Sequence, residues 1–502
     1  MNMMMLLEMA AAGSGERTAF VNGGDALTYQ ALFDAAGSAA AMLLASGGKH
    51  LAMLDENSLA CPVGLFASAW AGMPYVPINY RLTGPEIDAL LERVTPCVLV
   101  ASPERAAAFA GREGVVVQTR EEFLAAARSG ATAAPEWSMD AEDIAVLLFT
   151  SGTTGVPKAA ILRQKHLVSY ILGSVEFCSA AEEDAALVCV PPYHVAGIAA
   201  LLSSVYSGRK VVQLANFTPE AWLELARRHQ VSNAFVVPTM LARIVEALDG
   251  AVSAQLPRLR AISYGGGKMP LAVIERAMTL FPGTDFTNAY GLTETSSTIA
   301  VLGPQDHRDA VASDDPAVRR RLVSVGRALP GVAIEIRSEE GQVLGPGERG
   351  EIYVRGEQVS GEYAGRGSAL DRDGWFPTRD AGSMDADGYL FLEGRADDVI
   401  VRGGENMSPG EIEDVLLEHE AVADAAVVGI ADEQWGEAVA AAVVLKAGAQ
   451  ADAGALQCWV KDRLRSSRVP QRIEFWPELP YNETGKLLRR VVKAELARDA
   501  RD

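Results

Sequence analysis

Cysteine and histidine are scarce in this chain, with five and six residues among 502. The cysteines (Cys61, Cys97, Cys178, Cys189 and Cys458) form no Cys-x-x-Cys pair, and no two histidines stand at a His-x-x-x-His spacing. That disfavours a zinc site and a disulfide framework, and it points to a reducing compartment, read here as the cytoplasm. A basic excess is missing too. The formal net charge is −20, so nonspecific binding to nucleic acid or to anionic lipid is disfavoured, and an anionic ligand has to be held by local groups against the global field. No uncharged apolar run is long enough to span a bilayer. The segment Met1 to Ala12 is apolar but short. It carries Glu8 and no basic leader, so it reads as the start of an amphipathic helix rather than as a signal peptide.

What is present is the make-up of an ordinary globular enzyme, 49% hydrophobic and 22% charged. The length exceeds one hydrophobic core, so at least two domains are expected. Over the first 400 or so residues short apolar runs alternate with alanine-rich helical stretches. Leu51–Leu54, Cys61–Trp70 and Met73–Ile78 are one set; Ala185–Val190, Ile198–Val205, Lys210–Leu214 and Pro219–His229 are another. Such alternation predicts an α/β fold with mostly parallel sheets and ligands at the carboxyl ends of the strands. From Ser324 to Tyr363 the texture changes: Val332–Ile336 and Glu351–Val354 read as short strands of a small antiparallel unit. A last segment holds a helix (Pro409–Leu417), two strands (Val422–Ile430 and Glu437–Leu445) and a helix (Ala455–Leu464), a separate α+β domain of about one hundred residues.

One stretch carries chemistry on its face. Behind the apolar run Ile144–Phe149, a buried strand by its texture, come Thr150, Ser151, Gly152, Thr153, Thr154, Gly155, Val156, Pro157 and Lys158. Small residues let backbone N–H groups approach an anion, hydroxyls add donors and the lysine adds charge. A polyphosphate is the natural ligand. The stretch is not a Walker A motif, because Lys158 follows Pro157 and precedes Ala159. By itself a Ser/Thr/Gly-rich segment is as compatible with a solvated turn.

Four further segments come after it in order: Tyr290-Gly-Leu-Thr293-Glu294; Thr378-Arg379-Asp380 after Gly374-Trp-Phe; Gly394-Arg395-Ala-Asp397-Asp398 running to Gly403-Gly404-Glu405-Asn406; and Asn482-Glu-Thr-Gly485-Lys486. Together the five resemble the adenylate-forming superfamily, which includes acyl- and aryl-CoA synthetases, adenylation domains of peptide synthetases and firefly luciferase. The resemblance covers nearly the whole chain. It implies an α/β fold with a large N-terminal AMP-binding domain (1–396) of mixed sheets with a small antiparallel barrel-like unit, and a small mobile C-terminal α+β domain (397–502).

The resemblance also assigns roles. ATP, Mg²⁺ and coenzyme A are implied as nucleotide, metal and co-substrate. Thr150 to Gly155 and Lys158 would hold the β- and γ-phosphates. Thr293 would contact the α-phosphate. Glu294, with Thr150, would hold Mg²⁺, a hard cation suited to carboxylate and phosphate oxygens. Gly265, Gly266 and Gly267 would lie along adenine with Tyr290 stacking on it. Asp380 would accept from the ribose hydroxyls, and Arg395 would sit near ribose and phosphate. Lys486 would bridge the substrate carboxylate and the α-phosphate, a flexible point charge following a moving negative centre. Asp397 would be the hinge and Gly404 would leave room for pantetheine. Tyr193 and His194 would line the acyl pocket, His194 at its gate and counted among the catalytic residues, with Val236, Val237, Pro238, Thr239, Tyr264 and Ser296.

Two departures stand out. Arg379 replaces the glycine usual in Thr-Gly-Asp, and its side chain is expected to point outward. Lys268 comes directly after the three glycines and can lie near the nucleotide, near the acyl pocket or in solvent. The apolar lining favours a monocarboxylate with an aryl or short-to-medium acyl body, since a second buried charge needs a partner. Lys268 keeps a dicarboxylate open. The implied activity is AMP-forming acid–CoA ligation. The alternative is a stand-alone adenylating enzyme that uses a carrier protein, an amine or an unusual acid such as nitrite. The expected partner is a small carboxylic acid, and the chain is expected to be a monomer or homodimer.

Overall fold

A computed structural model describes residues 1–130, 136–150, 157–395, 398–402, 405–432, 434–481 and 487–498. Packing divides the chain into two units. The first comprises Met1–Ala333 and Val354–Phe376; the second comprises Ile334–Tyr353 and Pro377–Asp502.

The first unit is α/β and holds two large mixed sheets. One has nine strands, in the order Arg327–Ala328, Ser297–Leu302, Asp285–Leu292, Ala261–Gly265, Asn233–Val236, Ala185–Val188, Lys210–Gln213, Thr18–Asn22 and Asp25–Thr28. Its six central strands are parallel, and antiparallel strands flank them. The other has eight strands, with Cys97–Ala101, His50–Leu54 and Tyr75–Pro77 parallel to Ile144–Thr150, and Lys158–Arg163 antiparallel to it. The helices Met4–Ser14, Tyr29–Ala45, Ala60–Ala71 and Val195–Ser207 share one core with strands of both sheets. Met4, Leu6, Leu7 and Ala10 of the first helix are buried there. A fully buried Met or Leu is worth about 1.5–3 kcal/mol, so this helix is anchored. The helix Pro219–Arg228 starts on a Thr218 side chain that accepts from Ala221 N, with Pro219 in its first turn, where a missing N–H costs nothing.

The second unit holds the four-stranded sheet Ala333–Arg337, Arg349–Arg355, Phe376–Met384 and Leu390–Arg395. Beyond it comes an α+β portion in which Ile400–Arg402, Gly436–Leu445 and Val422–Asp432 form the sheet and Arg472–Phe475 joins Gly436–Leu445 in parallel. The division expected after residue 396 falls inside this unit. The helix Pro409–Leu417 lies against strand Leu390–Arg395, and the Ser408 hydroxyl donates to Glu393 O at 2.6 Å, so the four-stranded sheet packs with the α+β portion. The first two strands of that sheet match the expected Val332–Ile336 and Glu351–Val354, and Phe376–Met384 and Leu390–Arg395 complete it.

Candidate functional site

In the first unit the phosphate-loop ends are set by register. Thr150 pairs with Lys158 at the close of an antiparallel ladder, and Thr150 Oγ1 donates to Lys158 O at 3.4 Å. Ser151, Gly152, Thr153, Thr154 and Gly155 lie outside the described residues. Arg93 holds the flank by donating to Pro157 O at 2.7 Å and covering the Phe149 ring at 4.8 Å. Lys158 Nζ lies 5.5 Å from the centre of the Tyr363 ring, and the Tyr363 hydroxyl donates to Glu294 Oε1 at 2.7 Å. Strand Glu362–Tyr363 pairs with Lys158–Arg163, so the same sheet that presents Lys158 also presents Tyr363. Lys158, Tyr363 and Glu294 therefore form one cluster. Sequence reasoning named the first and third and missed Tyr363, whose partner Glu294 is 69 residues away.

Glu294 sits on the 3₁₀ turn Thr293–Thr295. That turn is fixed by its neighbours. Glu294 O accepts from Ser360 N at 2.8 Å, and the Gln358 amide donates to Thr295 O and Thr298 O at 3.1 and 2.7 Å. Gln358 is a second residue the sequence reading missed. Gly291 is required here by close approach: a Cβ would stand 1.7 Å from Ser297 O. Gly265 is in the same position, since its Cβ would stand 2.2 Å from Ala289 O, beside Tyr290 on the adjoining strand.

The residues read as pocket lining cluster past the carboxyl ends of four adjacent parallel strands. Tyr193 and His194 come after Ala185–Val188, Val237 and Pro238 after Asn233–Val236, Gly265–Gly267 at the end of Ala261–Gly265, and Tyr290 to Ser296 at the end of Asp285–Leu292. This is where open α/β sheets bind ligands. Val237 Cγ1 lies 3.7 Å from where a Cβ of Gly266 would be. The His194 ring lies 4.6 Å from that of Tyr193, which meets Tyr80 edge-on at 5.4 Å. Burial, and then the charge of Arg81, push the His194 imidazole down to about 4, so it is neutral near pH 7. Its Nε2 is buried with no hydrogen-bond partner among the described residues.

Two expected lining residues use their hydroxyls elsewhere, and Lys268 takes one of its expected places. Tyr264 is fully buried, and its hydroxyl is 2.8 Å from His307 Nε2 while His307 Nδ1 faces Gly303 O. Ser296 takes a left-handed φ of 58° and donates its hydroxyl to Gln358 O at 2.9 Å. Both hydroxyls are thus committed to the protein. Lys268 is exposed.

In the second unit Asp380 and Arg395 are cross-strand partners, joined at 2.7 Å from Arg395 Nη1 to Asp380 Oδ1. Arg395 also donates to Thr378 O at 3.2 Å. The turn before them is held by Thr378, whose Oγ1 donates to Ile352 O and accepts from Asp380 N. Arg379 takes φ 62°, the left-handed region that favours glycine. Its side chain is 60% exposed, with Nε 3.8 Å from Glu351. Asp397, Gly404 and Lys486 lie outside the described residues. Described residues near them in sequence carry polar and ionic contacts. Tyr481 bridges to Leu487 and donates to Asp424 at 2.8 Å. Arg489 is bonded to both oxygens of Glu413 and to Val427 O, and it stands 3.5 Å from Asp398.

The donor set suits a nucleotide and a hard cation. Glu294 is a carboxylate already oriented through one oxygen by Tyr363, and a hydroxyl such as that of Thr150 keeps oxygen lone pairs when it donates. Among the described residues no group of three or more His, Cys, Asp or Glu could hold a metal alone. Mg²⁺ is usually held by one or two carboxylates together with substrate phosphates, and the Glu294 carboxylate, oriented by Tyr363, suits that role.

Comparison with known proteins agrees. Residues 7–364 match the family model of AMP-binding enzymes, and residues 411–486 match that of the AMP-binding enzyme C-terminal domain. The chain belongs to this adenylate-forming family. Among its relatives it is similar to feruloyl-CoA synthase of Amycolatopsis sp (33% identical, 96% of each chain covered). It is also similar to the fatty acid–[acyl-carrier-protein] ligase ScoC of Streptomyces coeruleorubidus (32% identical, 94% of this chain and 92% of that one). The solved o-succinylbenzoate CoA synthetase (MenE) of Bacillus subtilis superposes with TM-score 0.84 at 30% identity in its complex with the acyl-adenylate intermediate OSB-AMP, covering 97% of each chain. The same enzyme with ATP and magnesium ion gives TM-score 0.82. No described helix is long and apolar enough to cross a membrane.

Proposed function

We propose that this chain is an AMP-forming acid–CoA ligase: it activates a carboxylic acid with ATP to the acyl-adenylate, releasing pyrophosphate, and then forms the thioester with coenzyme A, releasing AMP. The cluster of Lys158, Tyr363 and Glu294 beside the Thr150 strand end carries this reading. It pairs a cation for phosphate with an oriented carboxylate, next to the segment richest in hydroxyls and glycine. A carboxylate is a poor electrophile, so the protein's part is positioning and electrostatic stabilisation of charge building on the phosphates. Lys158 neutralises phosphate charge, and Thr293 and the Thr150–Gly155 segment donate to phosphate oxygens. Glu294, with Thr150, would hold Mg²⁺, which when bound would supply positive charge to the phosphate oxygens. Gly265–Gly267 and Tyr290 take adenine. Asp380, already aligned by Arg395, takes the ribose hydroxyls. Lys486 serves the adenylation step, Gly404 the thiol step, and Asp397 is the hinge.

The acid is an aryl or other apolar-bodied carboxylate. Tyr193, Val237 and Pro238 are apolar lining, and His194, neutral and with a buried nitrogen to satisfy, makes one hydrogen bond to it. The named relatives, a feruloyl-CoA synthase and an o-succinylbenzoate CoA synthetase, handle aryl acids by their names. The chain acts in the cytoplasm, in keeping with five free cysteines, as a monomer or homodimer. A second reading, transfer to a carrier-protein thiol, is favoured by the likeness to ScoC. Pyrophosphate release and thioester formation, assayed over a panel of aryl and alkyl acids with coenzyme A, with a carrier protein and with neither, separate the two. Thioester formed with coenzyme A establishes the first; transfer only to the carrier establishes the second.

A further inference from the structure

The nine-stranded sheet has a second ligand-sized feature, at the edge opposite the pocket residues. Lys210 opens strand Lys210–Gln213, Glu183 precedes Ala185–Val188, Arg258 precedes Ala261–Gly265, and Arg228, His229 and Gln230 close the helix that leads to Asn233–Val236. These are the amino ends of four neighbouring strands. The six residues line an open cleft of about 520 Å³, within the size range of small-molecule sites.

Its charge is unusual for this chain. Three cations face one carboxylate in a protein of net charge −20. Glu183 lies 3.5 Å from Arg258, and the adjoining Asp184 pairs with Arg260. Lys210 and Arg228 have no ion-pair partner among the described residues. A cation in the last turn of a helix is explained by the helix dipole. That accounts for Arg228, but Lys210 comes from a strand and Arg258 from a loop. His229 registers the local potential: burial, and then the charges of Lys210 and Arg228, lower its imidazole below the ordinary value. Gln230 is held in a left-handed conformation, φ 50°, with its amide donating to Arg227 O at 2.7 Å, so the helix end presents these groups on a fixed turn. Like charges converging in a concavity repel one another, and an anion relieves that repulsion.

We propose that this cleft is a second binding site, separate from the pocket at the carboxyl ends of the same sheet, and that it takes the phosphate group of a small molecule between Lys210, Arg228 and Arg258, with His229 as an added donor. The proposal is independent of the reaction assigned above. It is tested by titrating the full-length protein, saturated with AMP, with inorganic phosphate at low ionic strength. Calorimetry and the imidazole NMR signals of the six histidines track the binding. Expected are one saturable event, an upward shift in the His229 titration midpoint as phosphate binds near Lys210, Arg228, Glu183 and Arg258, and at least tenfold weaker binding in Lys210→Ala/Arg228→Ala. Melting temperature and basal activity of that variant should stay near wild type. Three results overturn it: no saturation, equal phosphate affinity in wild type and variant, or tighter binding of a pentaglutamate peptide than of phosphate, which would mark a protein-docking face. If the double variant misfolds, the His229 shift in the wild type decides alone, and its absence refutes the site.

Discussion

The flanking pairs Thr150 with Lys158 in the first unit and Tyr481 with Leu487 in the second are alike in geometry, yet they are held in different ways. In each, the two flanking residues pair antiparallel. In the first unit Thr150 and Lys158 close a ladder that runs back to Ile144 and Arg163. Backbone hydrogen bonds hold the flanks, and Lys158 and Glu294 are arranged around one neutral phenol. In the second, Tyr481 and Leu487 form an isolated bridge. Charged side chains replace the ladder, with Asp424 taken by Tyr481 and the buried Glu413 taken by Arg489. A sheet can fix a strand end without spending charge, and charge is what a phosphate site needs. Where no ladder exists, ionic groups serve structure.

The contrast can be broken most severely at Arg489. Arg489→Met leaves Glu413 buried without its partner and should destabilise by about 3 kcal/mol or more, read as a lower denaturant midpoint for the second unit. An effect under about 1 kcal/mol would show that the ion pair is not what holds this flank. In the first unit two histidines are held uncharged near pH 7, and pH tests that. His194 and His166 are each pushed down to about 4, mainly by burial. Folded pKa values below the unfolded value of about 6.5 mean that the unfolded chain binds more protons. Stability is then fully present above pH 6.5 and is lost as pH falls toward 4, by up to about 1.4 kcal/mol per pH unit for each histidine. His194→Phe should flatten that slope in urea titrations at pH 4–7.

Tyr363→Phe removes one hydrogen bond to a carboxylate, worth about 1.5 kcal/mol. It should lower kcat/KM for ATP about tenfold while leaving the melting temperature within a few degrees. A fall in stability without a fall in kcat/KM would make Tyr363 structural. The smallest effect is expected at Arg379→Gly. Relief of a left-handed arginine, about 1–2 kcal/mol, is offset by the flexibility glycine gives the unfolded chain. Stability should change by about 1 kcal/mol or less, with the KM for ATP within threefold. A larger KM change would place the Arg379 side chain at the ribose.

Much of this was readable in advance. The strand before Thr150, the strand Ala185–Val188 that delivers Tyr193, and the helix Pro409–Leu417 all stem from apolar patterning, which acts over a few positions. The partnership of Tyr363 with Glu294 and the clamp by Gln358 were not, because neither residue type marks its partner and strand pairing joins distant segments. Tyr264 shows the same limit. The family resemblance implied a place in the pocket lining, while the packing of His307 against it takes its hydroxyl into the core.

By itself the sequence determined the fold class and the family, because local periodicity and ordered motifs survive in one dimension. Only the tertiary structure decided which hydroxyls are spent on the protein, that arginine tolerates a left-handed turn beside Asp380, and that cations from three separate segments meet in one cleft. Hydrogen bonding, desolvation and charge repulsion depend on distance in space, and distance in space is set by which strands the sheets bring side by side.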